Sequence, residues 1–385
     1  MNNFVFENTT KVYFGKGCVG EYLGCLLKNY GDTVMLAYGG GSIKRNGIYD
    51  EVNSILTAAG KTVVEFSGIM SNPTYAKVQE GARLARENHV DLILAVGGGS
   101  VSDCCKIVSA QAKLDKDIWE LQTAKHIFPT EFIPLSTIVT VFGTGSEMNN
   151  GAVITHEEKK IKGALFGAQA DFAFLDPMYS MSVPFPQVIS GAFDTLSHAM
   201  ETYFGKPEEN NLSDDLGEAV MRSVIRNIRV LLTDHDNYDA RSELAWASAM
   251  AENGILKIGK ITDFQAHQME HQLGAYTNCS HGAGLAVIHP PLYRHIYKDG
   301  VERFARFARN VWGIEPKKTA EETALAGVEA LTGFICEIGL PTTFTELGIP
   351  ADTDFRAIAD STNLTAGCCK KLTHEEIYEI FQECI

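Results

Sequence analysis

The sequence predicts an α/β N-terminal domain with a Rossmann-like parallel sheet, followed by an all-helical C-terminal domain. The first half alternates short strand-like runs with helical periodicity, a pattern typical of a parallel sheet with helices on both faces. After Pro184 and Pro186 strand-like runs become scarce and helical spacing dominates. A length of 385 residues favours two domains over one. We therefore expect domains at 1–183 and 184–385.

The elements of the first domain are predicted one after another. Run 91–96 is apolar throughout, as expected of a strand buried on both faces. The neighbouring runs predict strands over 33–37 and 61–66, helices over 43–59 and 75–89, and a further strand that begins within 131–136. The cleft between the two domains is the place where a ligand is expected.

Composition excludes several classes of protein. The net charge of −15, from 33 Lys and Arg against 48 Asp and Glu, argues against a nucleic-acid partner, which favours a basic surface. No run approaches the length of a membrane span, and the first residues lack the pattern of an export signal. Nine cysteines, an odd number in a long chain, indicate reduced thiols and a cytoplasmic location.

Two predicted strands end in Gly-Gly-Gly-Ser, at 39–42 and 97–100. Glycines at these points let the backbone approach a ligand, and a following helix offers free N–H groups and a positive dipole end to phosphate. Neither loop has the GxGxxG fingerprint, so two tight turns are the alternative. Because both loops follow strands of one sheet, a dinucleotide site is favoured.

The first loop also bears on the choice of cofactor. A fold that prefers NAD commonly places an acid where it binds the ribose 2′-hydroxyl, and the stretch 39–45 contains none. It offers backbone N–H groups, the Ser42 hydroxyl, Lys44 and Arg45, which suit the 2′-phosphate of NADP. In the alternative interpretation the two cations are solvated helix charges.

Histidines and one aspartate suggest a metal site in the second domain. Asp194 and His198 lie four residues apart, as do His267 and His271, and His281 follows in a turn-like stretch. On a helix this spacing places both members of a pair on one face. An aspartate with three histidines is a ligand set for Fe²⁺ or Zn²⁺. The alternative is a chance pair together with histidines satisfied in a core.

The motifs together resemble the iron-containing (group III) alcohol dehydrogenases, in the NADPH-dependent butanol dehydrogenase branch. The resemblance covers nearly the whole chain. Each motif alone is moderately specific for the family, and their joint order is highly specific. These motifs are the segments 10–17, 38–44, 71–74, 97–106, 143–147 and 174–177, then the Asp194/His198 pair and the segment 267–281. The implied fold is a dehydroquinate synthase-like architecture, and the implied assembly is a homodimer.

The resemblance also implies roles for individual residues. The implied metal ligands are Asp194, His198, His267 and His281, with His271 beside them. The implied cofactor contacts are Gly40, Gly41 and Ser42 at the adenosine-phosphate loop, Asn72 as a further contact, Gly98, Gly99, Ser100 and Asp103 at the pyrophosphate, and Thr140, Asn149 and Lys162 near the nicotinamide. Lys159 and Lys160 lie close to Lys162 in the sequence. The pair Cys104–Cys105 departs from the family pattern and raises the question of sensitivity to oxidation.

The implied activity is reversible hydride transfer between NADP(H) and a small aldehyde or alcohol, such as butanal, at Fe²⁺ or Zn²⁺. His271 is the candidate proton relay, because its reference pKa lies near neutrality; orienting a metal ligand is the equal alternative. Competing functions are a zinc glycerol dehydrogenase-like polyol oxidoreductase, a dehydroquinate synthase-like lyase and a catalytically silent nucleotide-binding protein. No nucleic acid and no membrane is expected as a partner.

Overall fold

The computed structural model describes residues 2–207, 209, 211–367 and 369–385. The chain divides into two compact units, one of Glu7–Pro184 and one of Met1–Phe6 with Phe185–Ile385. The sequence-based boundary assigned every residue up to 183 to the first domain. The first residues instead belong to the helical unit, where the backbone N–H of Asn2 donates to the carbonyl of Gly259 at 3.0 Å.

The α/β unit contains a six-stranded parallel sheet in the order β1-β8-β5-β4-β2-β3 and a separate antiparallel hairpin, β6-β7. The strands are β1 (Lys11–Phe14), β2 (Thr33–Tyr38), β3 (Thr62–Phe66), β4 (Leu92–Gly97), β5 (Leu135–Val139), β6 (Gly151–His156), β7 (Ile161–Phe166) and β8 (Phe172–Leu175). The helices are α1 (Cys18–Leu26), α2 (Ser42–Arg45), α3 (Ile48–Ala58), α4 (Tyr75–Glu87), α5 (Gly99–Gln111) and α6 (Ile118–Thr123).

Strand β4 shows why the central strands are apolar at every position. Leu92 and Leu94 pack into the core on one face of the sheet, whereas Ile93 and Ala95 pack into the core on the other face. This alternation follows from the two-residue period of a strand. The predicted fold class, a parallel sheet covered by helices on both faces, is confirmed.

The pairing of β2 with β4 positions the two glycine loops. Tyr38 at the end of β2 lies opposite Val96 near the end of β4, in parallel register. Parallel neighbours end at the same edge of a sheet, so the loops that follow them emerge side by side. This edge is where ligands of open α/β sheets bind.

Three features of this unit differ from what the sequence predicted. The single helix predicted over 43–59 is two helices, α2 and α3, because Gly47 between them adopts a left-handed conformation with φ of 83°. The hairpin β6-β7 was not predicted, since its short mixed runs carry no clear period. The strand expected within 131–136 begins at Leu135, directly after Pro134, which has no N–H to donate to a ladder.

The helical unit consists of nine α-helices among the described residues, and Lys206 and Ile261 form its isolated β-bridge. The nine helices are α7 (Phe185–Tyr203), α8 (Leu212–Thr233), α9 (Tyr238–Glu252), α10 (Gln265–Thr277), α11 (His281–Ile296), α12 (Val301–Asn310), α13 (Ala320–Glu337), α14 (Phe355–Ser361) and α15 (His374–Glu383). Helix α7 is central, because every residue from Ala192 to Tyr203 is buried. In the part of the chain that is described, no helix combines the length and apolarity needed to cross a bilayer.

Candidate metal centre and cofactor loops

Three helices bring the predicted metal ligands of the helical unit together around one carboxylate oxygen. Helix α7 supplies Asp194 and His198, α10 supplies His267, and α11 begins at His281. Oδ1 of Asp194 lies 3.7 Å from Nδ1 of His198, 3.6 Å from Nε2 of His267 and 3.4 Å from Nε2 of His281. The structure therefore gathers all four residues at one point.

The atoms at the centre of this cluster are buried without hydrogen bonds. Among the described residues, Oδ1 of Asp194, Nδ1 of His198 and Nε2 of His267 have no hydrogen-bond partner, although buried polar atoms in proteins almost always have one. The ligand atoms of Asp194, His267 and His281 lie within 4.8 Å of one another. One carboxylate oxygen and imidazole nitrogens form a donor set that fits Fe²⁺ or Zn²⁺.

Two glutamates that the sequence did not single out hold the histidines from behind. Nδ1 of His267 donates to Oε2 of Glu201, which also accepts the backbone N–H of His267 at 3.2 Å. Nδ1 of His281 donates to Oε2 of Glu270. Such carboxylates fix the tautomer and orientation of a metal-binding histidine. Their signal was present, since Glu201 lies two helical turns beyond Asp194 and Glu270 lies one turn beyond His267.

The electrostatics favour the ligand-ready form of Asp194 and His198. Burial opposes ionisation of Asp194, yet attraction to His198 and His281 holds the pKa of its carboxyl well below the usual value. Burial lowers the pKa of His198 to about 4, so this imidazole is neutral. For His267 burial also favours the neutral form, but Glu201 and Asp194 raise its pKa to about 10. A cation bound here would displace a proton from His267.

His271 lies beside the cluster, on the turn of α10 that follows His267. Its ring centroid is 5.9 Å from that of His267 and 5.5 Å from that of His281, on which it stacks. It is 6% exposed and shares a second group of close ligand atoms with Glu270 and His281. The structure thus brings His271 next to two of the converging histidines, His267 and His281.

The second glycine loop, residues 97–100 of the α/β unit, leads into helix α5, which begins at Gly99. A side chain at Gly99 would place its Cβ 2.3 Å from Oγ1 of Thr144, so glycine is needed here for packing inside the protein. At Gly98 the Cβ would lie 3.1 Å from Cβ of Val141. Ser100 donates from Oγ to the carbonyl of Ser71 at 2.5 Å, which ties this loop to the segment that carries Asn72.

The first glycine loop differs, because part of it is open. A Cβ at Gly40 would meet nothing within 4 Å, and Gly41 has a φ of 90°. Ser42 begins the four-residue helix α2 and is exposed. The loop is therefore accessible to a ligand, and only Gly41 requires glycine for its backbone conformation.

Two predicted cofactor contacts, Asp103 and Asn149, belong to a polar network around Lys106. Asp103 accepts from Oγ of Ser146 at 2.5 Å and from the backbone N–H of Val153 at 2.8 Å. The fully buried Lys106 donates to Oδ1 of Asn149 at 2.9 Å and to Oγ of Ser146 at 2.8 Å. The network ties α5 to the turn before β6, and sequence patterns gave no indication of the buried lysine.

The remaining predicted contacts lie next to this network. The backbone N–H of Thr140 donates to the carbonyl of Gly97 at 2.9 Å, which places it at the end of β5 beside the second glycine loop. Among the neighbouring lysines, Lys162 on β7 is 7% exposed. Lys159 instead pairs with Glu120 at 2.6 Å on the surface. Burial therefore distinguishes Lys162 from Lys159.

The unusual pair Cys104–Cys105 is fully buried on α5. Burial raises the pKa of Cys104 to about 12 and that of Cys105 well above its ordinary value. A thiol in this environment stays protonated and unreactive. The structure therefore gives no support to the sensitivity to oxidation that this pair suggested, and the described cysteines are all free thiols.

Comparison with known proteins identifies the family. Residues 9–177 match the iron-containing alcohol dehydrogenases, and residues 188–385 match the C-terminal region of the Fe-containing alcohol dehydrogenase family. The chain belongs to the iron-containing alcohol dehydrogenase family. The sequence-based recognition is thus confirmed, and the four converging residues Asp194, His198, His267 and His281 lie within the C-terminal match.

Several members of the iron-containing alcohol dehydrogenase family align over almost the whole chain. NADH-dependent butanol dehydrogenase A of Clostridium acetobutylicum is 36% identical and covered in full, as is this chain. NADPH-dependent aldehyde reductase YqhD of Escherichia coli is 33% identical, over 91% of this chain and 90% of its own. The solved structure of NADH-dependent butanol dehydrogenase A from Thermotoga maritima has a TM-score of 0.94 at 34% identity, covering 100% of this chain and 99% of that one.

Proposed function

We propose that this protein is a metal-dependent, NADP(H)-linked alcohol dehydrogenase and aldehyde reductase for small aldehydes such as butanal. The reaction is reversible hydride exchange between the nicotinamide and a carbonyl carbon. The observation that carries the proposal is the convergence of His198, His267 and His281 on Oδ1 of Asp194 within 3.7 Å. Family membership and the accessible glycine loop support it.

The chain's own residues have distinct tasks in this reaction. Asp194, His198, His267 and His281 would hold Fe²⁺ or Zn²⁺, which supplies Lewis acidity to a substrate oxygen. Glu201 and Glu270 hold the Nδ1 atoms of His267 and His281, so that each Nε2 faces inward. We assign His271 to the proton transfer that hydride exchange requires, or to orienting His281, on which it stacks.

The choice of NADP(H) rests on the first glycine loop. Its residues offer no carboxylate at the open position Gly40, and Ser42 and Lys44 are exposed beside it. The second candidate is NADH, because two relatives that cover the chain in full or nearly so are named NADH-dependent. We nevertheless propose NADP(H) for this chain, because the chemistry of its own glycine loop suits a 2′-phosphate.

The experiment is the oxidation of NADPH and of NADH by butanal, followed by loss of nicotinamide absorbance. Protein purified without oxygen is compared after chelation and after reloading with Fe²⁺ or Zn²⁺. We expect turnover only with metal, and a higher kcat/KM for NADPH than for NADH. Turnover that survives complete metal removal would overturn the metal proposal, and equal efficiency with both cofactors would overturn the NADP(H) preference.

A further inference from the structure

A cluster of charged and aromatic residues lies at the carboxyl ends of β2 and β3, beside the first glycine loop. It consists of Tyr38 at the end of β2, Lys44 on α2, Tyr49 on α3 and Glu65 on β3. Glu65 lies opposite Leu36 in the parallel register of the two strands. Lys44 follows Ser42 by two residues, so the cluster is continuous with the loop proposed to bind the adenosine half of the cofactor.

Lys44 is held in place by this cluster although its ammonium remains accessible. Its Nζ donates to Oε2 of Glu65 at 3.1 Å and lies 4.3 Å from the ring centroid of Tyr49 and 5.1 Å from that of Tyr38. The side chain is nevertheless 45% exposed. Contact of the ammonium with two aromatic rings restricts the lysine side chain, which is otherwise flexible. The cation is thus positioned before any ligand arrives.

Glu65 is occupied by protein donors on both of its oxygens. Besides Lys44, Oε2 accepts from the hydroxyl of Tyr38 at 2.5 Å, and Oε1 accepts from the hydroxyl of Tyr49 at 2.5 Å. These hydrogen bonds lower the pKa of Glu65 to about 2, so it stays ionised. An acid near this edge commonly accepts the ribose hydroxyls in NAD-preferring folds. Here the acid is engaged in holding a cation.

From this arrangement we infer that Lys44 is a specificity-determining residue that binds the ribose 2′-phosphate of a dinucleotide. Glu65, Tyr38 and Tyr49 are positioning residues that hold its ammonium. The inference rests on the proposed function, because it names the residue through which NADPH is preferred. A phosphate contributes oxygen acceptors for the ammonium protons that Glu65 does not use.

Arg45 provides a matched control on the same turn. It is exposed, and among the ion pairs and ring contacts found between described residues none involves its guanidinium. If positive charge near the loop were sufficient, Arg45 and Lys44 would contribute alike. If a positioned ammonium is required, only Lys44 contributes.

The test compares the wild type with K44Q, K44R and R45Q, using adenosine 2′,5′-bisphosphate and 5′-AMP as probes in calorimetric titrations without substrate. In the wild type we expect tighter binding of the bisphosphate. K44Q should lose about tenfold in affinity for the bisphosphate and nothing for 5′-AMP, the loss expected of one charge-assisted hydrogen bond. K44R should retain the preference, and R45Q should behave as the wild type. The KM values for NADPH and NADH should change in the same pattern.

The possible results separate this inference from the proposed function. If the wild type binds both probes equally, the NADP(H) preference itself fails. If the wild type prefers the bisphosphate but K44Q keeps that preference, the assignment of Lys44 is overturned and the loop alone discriminates. An equal loss in R45Q would also overturn it, because unpositioned charge would then suffice. Circular dichroism of K44Q, an exposed substitution, checks that the fold is unchanged.

Discussion

Nε2 of His281 lies 3.4 Å from Oδ1 of Asp194, while Nδ1 of the same ring is held by Glu270. The two nitrogens of one imidazole thus have separate partners, one at the centre of the cluster and one behind it. His267 repeats the arrangement with Asp194 and Glu201. This duplicated geometry is what turns a set of nearby histidines into a candidate metal centre.

The first prediction concerns Glu270. The Glu270 carboxylate orients the imidazole of His281 and raises its basicity. Replacing Glu270 with Gln removes that charge. We expect metal affinity to fall roughly 10–100-fold, the usual effect of losing such a partner. The measurement is a competition titration with a chelator of known affinity. Glu302→Gln, at an exposed position, is the control and should leave the affinity unchanged; equal affinities in all three proteins would contradict the assigned role.

The second prediction concerns His267. Its replacement by Ala removes a ligand atom and leaves Glu201 buried without the imidazole. We expect a larger loss of metal affinity than for Glu270→Gln, together with loss of turnover. Metal content after dialysis and butanal reduction are the measurements. His295→Ala, which removes a histidine that pairs instead with Glu376, should retain both. Stoichiometric metal with normal turnover in His267→Ala would show that this residue is not a ligand.

The third prediction separates the two roles of His271. If it transfers a proton, His271→Ala should keep its metal and lose turnover, and added imidazole should restore part of the rate. If it orients His281 by stacking, metal affinity should fall instead, by roughly 10–100-fold. Metal content and turnover are measured on the same preparation. A variant unchanged in both would show that His271 only packs.

The fourth prediction concerns Gly40, where an added Cβ would meet no described atom within 4 Å. Gly40→Asp places a negative charge beside the proposed 2′-phosphate site. Repulsion at a few ångströms should lower kcat/KM for NADPH roughly tenfold and shift the preference toward NADH. Gly40→Asn matches the size without the charge and should keep the preference. A similar loss in both variants would attribute the effect to bulk.

The fifth prediction concerns Glu147, which is 3% exposed and whose Oε1 has no hydrogen-bond partner in the part of the chain that the structure describes. Burial raises its pKa from 4.5 to about 7. The folded state therefore binds this proton more tightly than the unfolded state, and stability is lost as pH rises through that range. Glu147→Gln has no carboxyl to titrate and therefore lacks this pH dependence. The difference in free energy of unfolding between the variant and the wild type should shift by about 2–3 kcal/mol in favour of the variant from about pH 5 to about pH 8.

Urea denaturation at the two pH values tests this prediction. Glu131→Gln, an exposed substitution in the same unit, should follow the wild type at both. A difference between Glu147→Gln and the wild type that does not change with pH would show that the carboxyl does not titrate in this range.

The sequence by itself determined the fold class and the family, and it named the four residues that converge at the candidate metal centre. Strand β4 was predicted because burial on both faces demands apolar residues at every position. The four-residue spacing of Asp194 and His198, and of His267 and His271, indicated pairs on one helical face, and the family resemblance then implied which of these residues, together with His281, are ligands. These signals are local, and each is visible within a few residues of chain.

Only the tertiary structure decided which groups meet. Glu201 and Glu270 hold His267 and His281, and Glu65 and Tyr49 hold Lys44. Each relationship depends on the packing of helices and strands whose order and register no short pattern encodes. The same holds for the fully buried Lys106, whose partners on other elements compensate a charge that a sequence pattern assigns to the surface. Local periodicity predicts elements, whereas partner choice follows from how those elements pack.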